Sequence, residues 1–114
     1  MNKRINWYEP KFGEEEKKLV SEVLETGFVN EGPKCRELEE KLANYLGVKY
    51  VVLTTSATNA LFISVEADKR IRNLKNYEVI VPNLTFIASA TAVEQAHAKP
   101  ILVDIEKEKF TLDI

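Results

Sequence analysis

An alternation of patterns constrains this chain more than any other feature. Tyr50-Val51-Val52-Leu53, Val79-Ile80-Val81 and Ile101-Leu102-Val103 are short apolar runs rich in β-branched residues. Strands buried on both faces read this way. Between the runs lie segments long enough for helices, from about residue 58 to 74 and from 85 to 96. Strand, helix, strand, helix, strand implies parallel strands joined by right-handed crossovers. The expected class is therefore α/β, a partial parallel sheet with helices on both faces.

Upstream of residue 50 the apolar period lengthens. Leu19, Val20, Val23 and Leu24 recur at helical spacing, which predicts a helix over 14–25. Glu14, Glu15 and Glu16 fall in its first turn, where the helix dipole favours acids, and Gly27 is a natural stop. Residues 26–31 read as a loop. Pro33 suits a first helical position, Leu38, Leu42, Tyr45 and Leu46 form a stripe, and Gly47 stands where a left-handed cap belongs. Before all this, residues 5–10 read as an extended arm, with Pro10 biasing Glu9 away from helix.

Composition excludes several classes of function. The chain has 114 residues, 45% hydrophobic and 30% charged, which suits one folded domain. A net charge of −2, without a basic patch, argues against nucleic acid as a partner. No apolar run is long enough to cross a membrane, and no apolar segment of a signal peptide follows Lys3-Arg4. Cys35 is the single cysteine, so no internal disulfide is expected and a reducing cytoplasm is the simplest setting. With one histidine, His97, neither a metal site nor a Ser-His-Asp arrangement is expected. Glycines at 13, 27, 32 and 47 fit neither G-x-G-x-x-G nor a Walker A loop.

Ligands of open α/β sheets bind at the C-terminal ends of strands. Three such ends are on offer. The first carries hydroxyls at Thr54, Thr55, Ser56 and Thr58, before a helix whose leading N–H groups and dipole favour a phosphate. On pattern alone, Ser56 as an ordinary helix cap is the simpler reading. The second end carries Thr85-Phe86, where an aromatic could cover a flat ring, although on pattern alone a core phenylalanine is the simpler reading. The third has Asp104, Glu106 and Glu108, with Asp104 expected to accept hydrogen bonds in its own turn.

Six segments follow one another along the chain: Glu9-Pro10, Gly27 to Gly32-Pro33 with Leu38-Glu39, Leu46-Gly47-Val48-Lys49, Thr55-Ser56-Ala57-Thr58-Asn59-Ala60-Leu61, Glu78-Val79-Ile80-Val81-Pro82 with Thr85-Phe86-Ile87-Ala88, and Pro100-Ile101-Leu102-Val103-Asp104-Ile105. In this order and with these gaps they resemble the DegT/DnrJ/EryC1/StrS sugar aminotransferases, within the fold type I pyridoxal-phosphate (PLP) enzymes. Two departures stand out. Ala57 replaces the usual glycine of a Ser-Gly-Thr turn, and residues 70–77 replace a glycine-containing turn, which suggests a longer helix before the second strand.

The resemblance implies that Ser56, Ala57 and Thr58 hold the phosphate of PLP and that Phe86 stacks on its ring. It implies that Trp7, Tyr8, Gly27, Phe28, Val29 and Asn30 approach a nucleotide-sugar substrate. It implies an arm and first helix over 1–33, and the start of the PLP-binding large domain over 34–114. It further implies an amino-acid donor, commonly glutamate, and a homodimer. The family's Schiff-base lysine stands in a context that none of the twelve lysines here matches. No catalytic residue is therefore assigned, and the chain by itself is expected not to transaminate. Family members with histidine in place of that lysine are dehydratases. A different class of role, a truncated remnant serving as a binding or assembly module, is the alternative.

Overall fold

Helices begin and end where local chemistry satisfies their terminal backbone groups. The computed structural model describes residues 5–6 and 8–113. Helix α1, Glu14–Thr26, starts at Gly13, whose N–H donates to Glu16 Oε2 at 2.7 Å. The N–H groups of Glu16 and Gly13 hold that carboxyl below the usual glutamate range. The helix closes at Gly27 with φ 72°, a left-handed conformation that glycine adopts without a Cβ clash. Helix α2, Pro33–Leu46, opens on its proline and closes at Gly47, after which Val48 N–H donates to Ala43 O at 3.0 Å.

Helix α3, Ala57–Ile71, is followed by strand β1, Glu78–Pro82, helix α4, Ala88–Gln95, and strand β2, Lys99–Val103. The strands pair in parallel, with Glu78 opposite Lys99 and Pro82 opposite Val103. Asn83 N–H donating to Val103 O at 2.8 Å extends the ladder by one bond. The α/β class and the parallel pairing expected from the sequence are thus present. Helix α4 crosses between the two strands and packs on both, and α3 packs on α4. The core is small: among the described residues, Val81, Ala88, Ala92, Val93 and Ala96 are its buried side chains. Ala88, Ala92 and Ala96 recur every fourth residue, so one narrow helix face carries them. Lys69 fastens α3 to the end of α4, its ammonium donating to Ala96 O at 2.7 Å and His97 O at 3.3 Å.

Three expectations need correction. The 50–53 run lies outside the sheet, which has β1 and β2 as its two strands among the described residues. Tyr50 and Val52 are 75% and 78% exposed, so their apolar character is not satisfied by burial in this chain. A β-branched composition supplies the tendency, but a strand exists only through a neighbour's ladder. Nor are the two strands buried on both faces. Along β1 exposure alternates, with Val81 at 3% and Ile80 at 54%. Finally, α3 ends at Ile71 rather than continuing to Leu74. Asn73 takes φ 52°, while Asn73 N–H donates to Arg70 O and Leu74 N–H to Lys69 O. That is a Schellman ending, with asparagine in the place where glycine is usual. Beside it, Tyr77 hydroxyl donates to Asp68 Oδ2 and Arg72 Nε to Oδ1. Both bonds lower the Asp68 carboxyl, Tyr77 more strongly, and the same contact raises Tyr77.

The chain divides into two compact units, with the boundary between Val52 and Leu53. Helices α1 and α2 belong to the first, and the β1-α4-β2 crossover with α3 belongs to the second.

Candidate functional site

The start of α3 is built from a run of small polar residues whose side chains hydrogen-bond the nearby backbone and so favour a cap. Ser56 is the N-cap, extended at φ −161°, and its Oγ accepts the Asn59 N–H at 3.2 Å. Thr54 Oγ1 donates to Ser56 O at 2.9 Å, which fixes the turn leading into the helix. Asn59 Nδ2 donates to Thr55 Oγ1 at 2.7 Å. Ala60 N–H makes the first bond of the helical ladder, to Ser56 O at 3.1 Å. The N–H groups of Ala57 and Thr58 precede that ladder and have no acceptor within it.

The first turn of α3 contains no acidic residue, while Lys69 and Arg70 occupy its last turn. The positive end of the helix dipole is therefore not neutralised by the helix's own side chains. Hydroxyls at Thr55, Ser56 and Thr58, two leading N–H groups and an acid-free dipole form a donor set that suits a phosphate such as that of PLP. Ala57 does not spoil it. The non-glycine residues with positive φ among those described are Asn73, His97 and Phe110, so position 57 needs no glycine for its backbone. Ala57 is simply the first helical residue.

At the second strand end, residues 83–87 form a loop between β1 and α4. Phe86 is 78% exposed there, so it is not the core residue that pattern alone suggests. Its carbonyl accepts Ser89 N–H at 3.0 Å, and Thr85 and Ser89 hydroxyls meet at 3.0 Å, which anchors the loop on the first turn of α4. At the third end, Asp104 behaves as a turn residue: its Oδ1 accepts the Ile105 N–H at 2.8 Å.

The residues expected to approach a nucleotide sugar lie in the first unit. Phe28, Val29 and Asn30 line a cavity of about 640 Å³ together with Thr26, Gly32 and Cys35. Gly27 turns the chain so that Val29 N–H reaches Gly27 O at 3.0 Å. A Cβ on Gly32 would stand 3.1 Å from that of Phe28, so the loop is closely folded on itself. Tyr8 is exposed and does not line that cavity. Trp7 lies outside the described residues. Among the described residues no cluster of His, Cys, Asp and Glu could hold a metal, and no helix is long and apolar enough to cross a membrane.

Sequence reasoning missed Asn59. It was visible only as one letter of a longer motif, yet it touches both Thr55 and Ser56. The available signal was its position, three residues after a capping serine, where a side chain can reach back over the cap.

Comparison with known proteins gives this geometry a context. The model of the DegT/DnrJ/EryC1/StrS aminotransferase family matches residues 10–114. Spore coat polysaccharide biosynthesis protein SpsC of Bacillus subtilis is 36% identical over 104 residues, 91% of this chain and 26% of that protein. The dTDP-4-dehydro-2,3,6-trideoxy-D-glucose 4-aminotransferase of Saccharopolyspora spinosa is 32% identical, over 96% of this chain and 29% of that protein. Among solved structures, Spr1654 of Streptococcus pneumoniae, assigned as a sugar aminotransferase, superposes in its PMP form with a TM-score of 0.79 at 34% identity, covering 96% of this chain and 27% of that one. Its PLP form gives a TM-score of 0.78. The chain thus spans 26% to 29% of the length of these relatives.

Proposed function

The chain belongs to the DegT/DnrJ/EryC1/StrS aminotransferase family, and from that premise we propose that it supplies the cofactor-phosphate seat of a PLP-dependent sugar aminotransferase. In this reading an amino group passes from an amino acid, glutamate in the simplest case, to a nucleotide-linked keto-sugar during cell-surface polysaccharide or amino-sugar synthesis. Residues 34–114 open the PLP-binding large domain, and 1–33 form its arm and first helix. The working protein is a cytoplasmic homodimer.

The observation that carries this reading is the start of α3: a serine cap, neighbouring hydroxyls and no acid in the first turn. Ser56 and Thr58 hydroxyls, with the Ala57 and Thr58 N–H groups, would donate to the phosphate. Phe86, held out at the end of β1, would cover the cofactor ring. Tyr8, Gly27, Phe28, Val29 and Asn30 would meet the sugar nucleotide. PLP, when bound, supplies an electron sink for the bond broken at the amino-bearing carbon. The protein's part here is to orient and hold.

None of the twelve lysines stands in the family's covalent context, so the 114-residue chain alone is proposed to lack turnover. The direct test is calorimetry with pyridoxamine 5′-phosphate and pyridoxamine. These ligands differ only in the phosphate, and neither carries an aldehyde that could react with surface lysines. A preference for the phosphorylated ligand of at least about a hundredfold is expected, because two charge-assisted hydrogen bonds of about 1.5 kcal/mol each already reach that scale. Equal affinity for the two ligands would remove the reading. Incubation with glutamate and a dTDP- or UDP-linked keto-sugar should give no amino-sugar from the 114-residue chain, and product there would overthrow the claim of inactivity.

A further inference from the structure

Resting on the cofactor reading above, we propose that Asn59 is a positioning residue, one whose side-chain amide turns the Thr55 hydroxyl into an outward-facing donor for the cofactor phosphate, beside a Ser56 hydroxyl that the backbone N–H of position 59 leaves free to donate. A serine or threonine hydroxyl can donate one hydrogen and accept at two lone pairs. What such a group offers a ligand depends on which capacity the protein has already used. Thr54 uses its hydrogen on Ser56 O. Thr55 and Ser56 are used the other way: each accepts a hydrogen from Asn59, one from the side-chain amide and one from the backbone N–H. Both bonds draw on acceptor capacity and leave the hydroxyl hydrogens for a ligand. A phosphate dianion has only acceptor oxygens, so a donor-facing pair is what it requires.

Asn59 is suited to this by chemistry as well as position. Its side-chain amide presents a neutral donor at a site where a carboxylate would be self-defeating. An aspartate of the same shape would accept from Thr55, draw that hydroxyl hydrogen inward and add a negative charge beside the anion. The backbone arm to Ser56 survives any substitution, so side-chain variants isolate the Thr55 arm.

The test uses the same two ligands and reads the ratio of their affinities in each variant. Asn59→Ala should lower the preference for pyridoxamine 5′-phosphate about tenfold, the scale of one hydrogen bond to a charged group. Asn59→Asp should lower it on the order of a hundredfold, by reversed donation and charge repulsion. Affinity for pyridoxamine should stay within about twofold in both, which a merely structural role would not allow. Thr55→Val should match Asn59→Ala, and the double variant should lose no more than either alone, because both cut one path. The ³¹P resonance of the bound ligand should move toward its free value in the same order of variants.

If wild-type protein prefers the phosphorylated ligand and Asn59→Ala keeps that preference within about twofold, the role of Asn59 is refuted and the phosphate seat stands. A Thr55→Val variant with full preference, or an equal loss for both ligands in Asn59→Ala, refutes it as well. If the wild type shows no preference, the cofactor reading falls and this inference falls with it.

Discussion

Helices α1 and α3 face the same electrostatic problem at their N-termini and solve it in opposite ways. At α1 the chain brings its own anions: Glu14, Glu15 and Glu16 fill the first turn, and Glu16 reaches back to Gly13 N–H at 2.7 Å. At α3 the cap is a neutral serine, and no acid follows it. The first arrangement neutralises the helix dipole internally and leaves nothing for a ligand. The second satisfies one leading N–H through Ser56 and leaves the positive end of the dipole to be met from outside. Two helices of similar length therefore differ in whether their N-terminus is closed or open. The difference lies in the charge of three residues, not in the backbone.

The comparison can be broken most severely by making α3 resemble α1. Ser56→Asp keeps a good cap, so the fold should persist, but it places a carboxylate where the phosphate would sit. The preference for pyridoxamine 5′-phosphate over pyridoxamine should drop on the order of a hundredfold in calorimetry. An unchanged ratio would mean that the start of α3 is not the phosphate seat. Ser56→Ala is milder. It removes both the cap and one donor, so it should cost about 1 kcal/mol of stability in chemical denaturation and about tenfold in phosphate preference. A loss of stability with the preference intact would reduce Ser56 to a cap alone.

Changes at α1 should be the smallest, and purely structural. Glu16→Ala frees Gly13 N–H and should fray the first turn of α1, seen as reduced ¹³Cα secondary shifts at residues 14–17, without altering either ligand's affinity. Acid should do the same reversibly. The Glu16 carboxyl lies below its ordinary value in the folded chain because two backbone N–H groups favour its charged form. Its contribution is therefore complete above the unfolded glutamate value and is lost as pH falls through the lower, folded one. The start of α3 has no carboxylate to protonate and should keep its shifts across that window.

How much of this was legible in the sequence depended on the distance over which each feature is decided. Pro33 and Gly47 bracket α2 by their own backbone preferences, and they were readable where they stand. The runs at 79–81 and 101–103 announced β1 and β2, which the ladder then lengthened to 78–82 and 99–103. The 50–53 run carries the same composition and forms no strand, because pairing is a property of neighbours and not of a segment. The stop of α3 was misplaced because asparagine, at Asn73, does a glycine's work there. At the candidate site, the choice between a capping Ser56 and a ligand-binding one was a false opposition. Its oxygen caps by accepting, and its hydrogen is a separate resource. Ser56 meets a backbone N–H whatever residue stands at 59, whereas Thr55 meets the Asn59 side chain, and single letters do not disclose that difference.

The stripe of Ala88, Ala92 and Ala96 has a consequence for heredity. These positions are 8%, 0% and 1% exposed, and the helix that bears them packs on two strands and on α3. Alanine is nearly the smallest residue available, so random substitution at such codons can move almost only toward greater bulk. Each enlargement would push α4 off its neighbours at a cost of about 1–3 kcal/mol. In a lineage, this face of α4 should therefore drift far more slowly than the exposed apolar positions of α1. The stripe acts as a ceiling on volume, fixed by how closely one helix lies against its sheet.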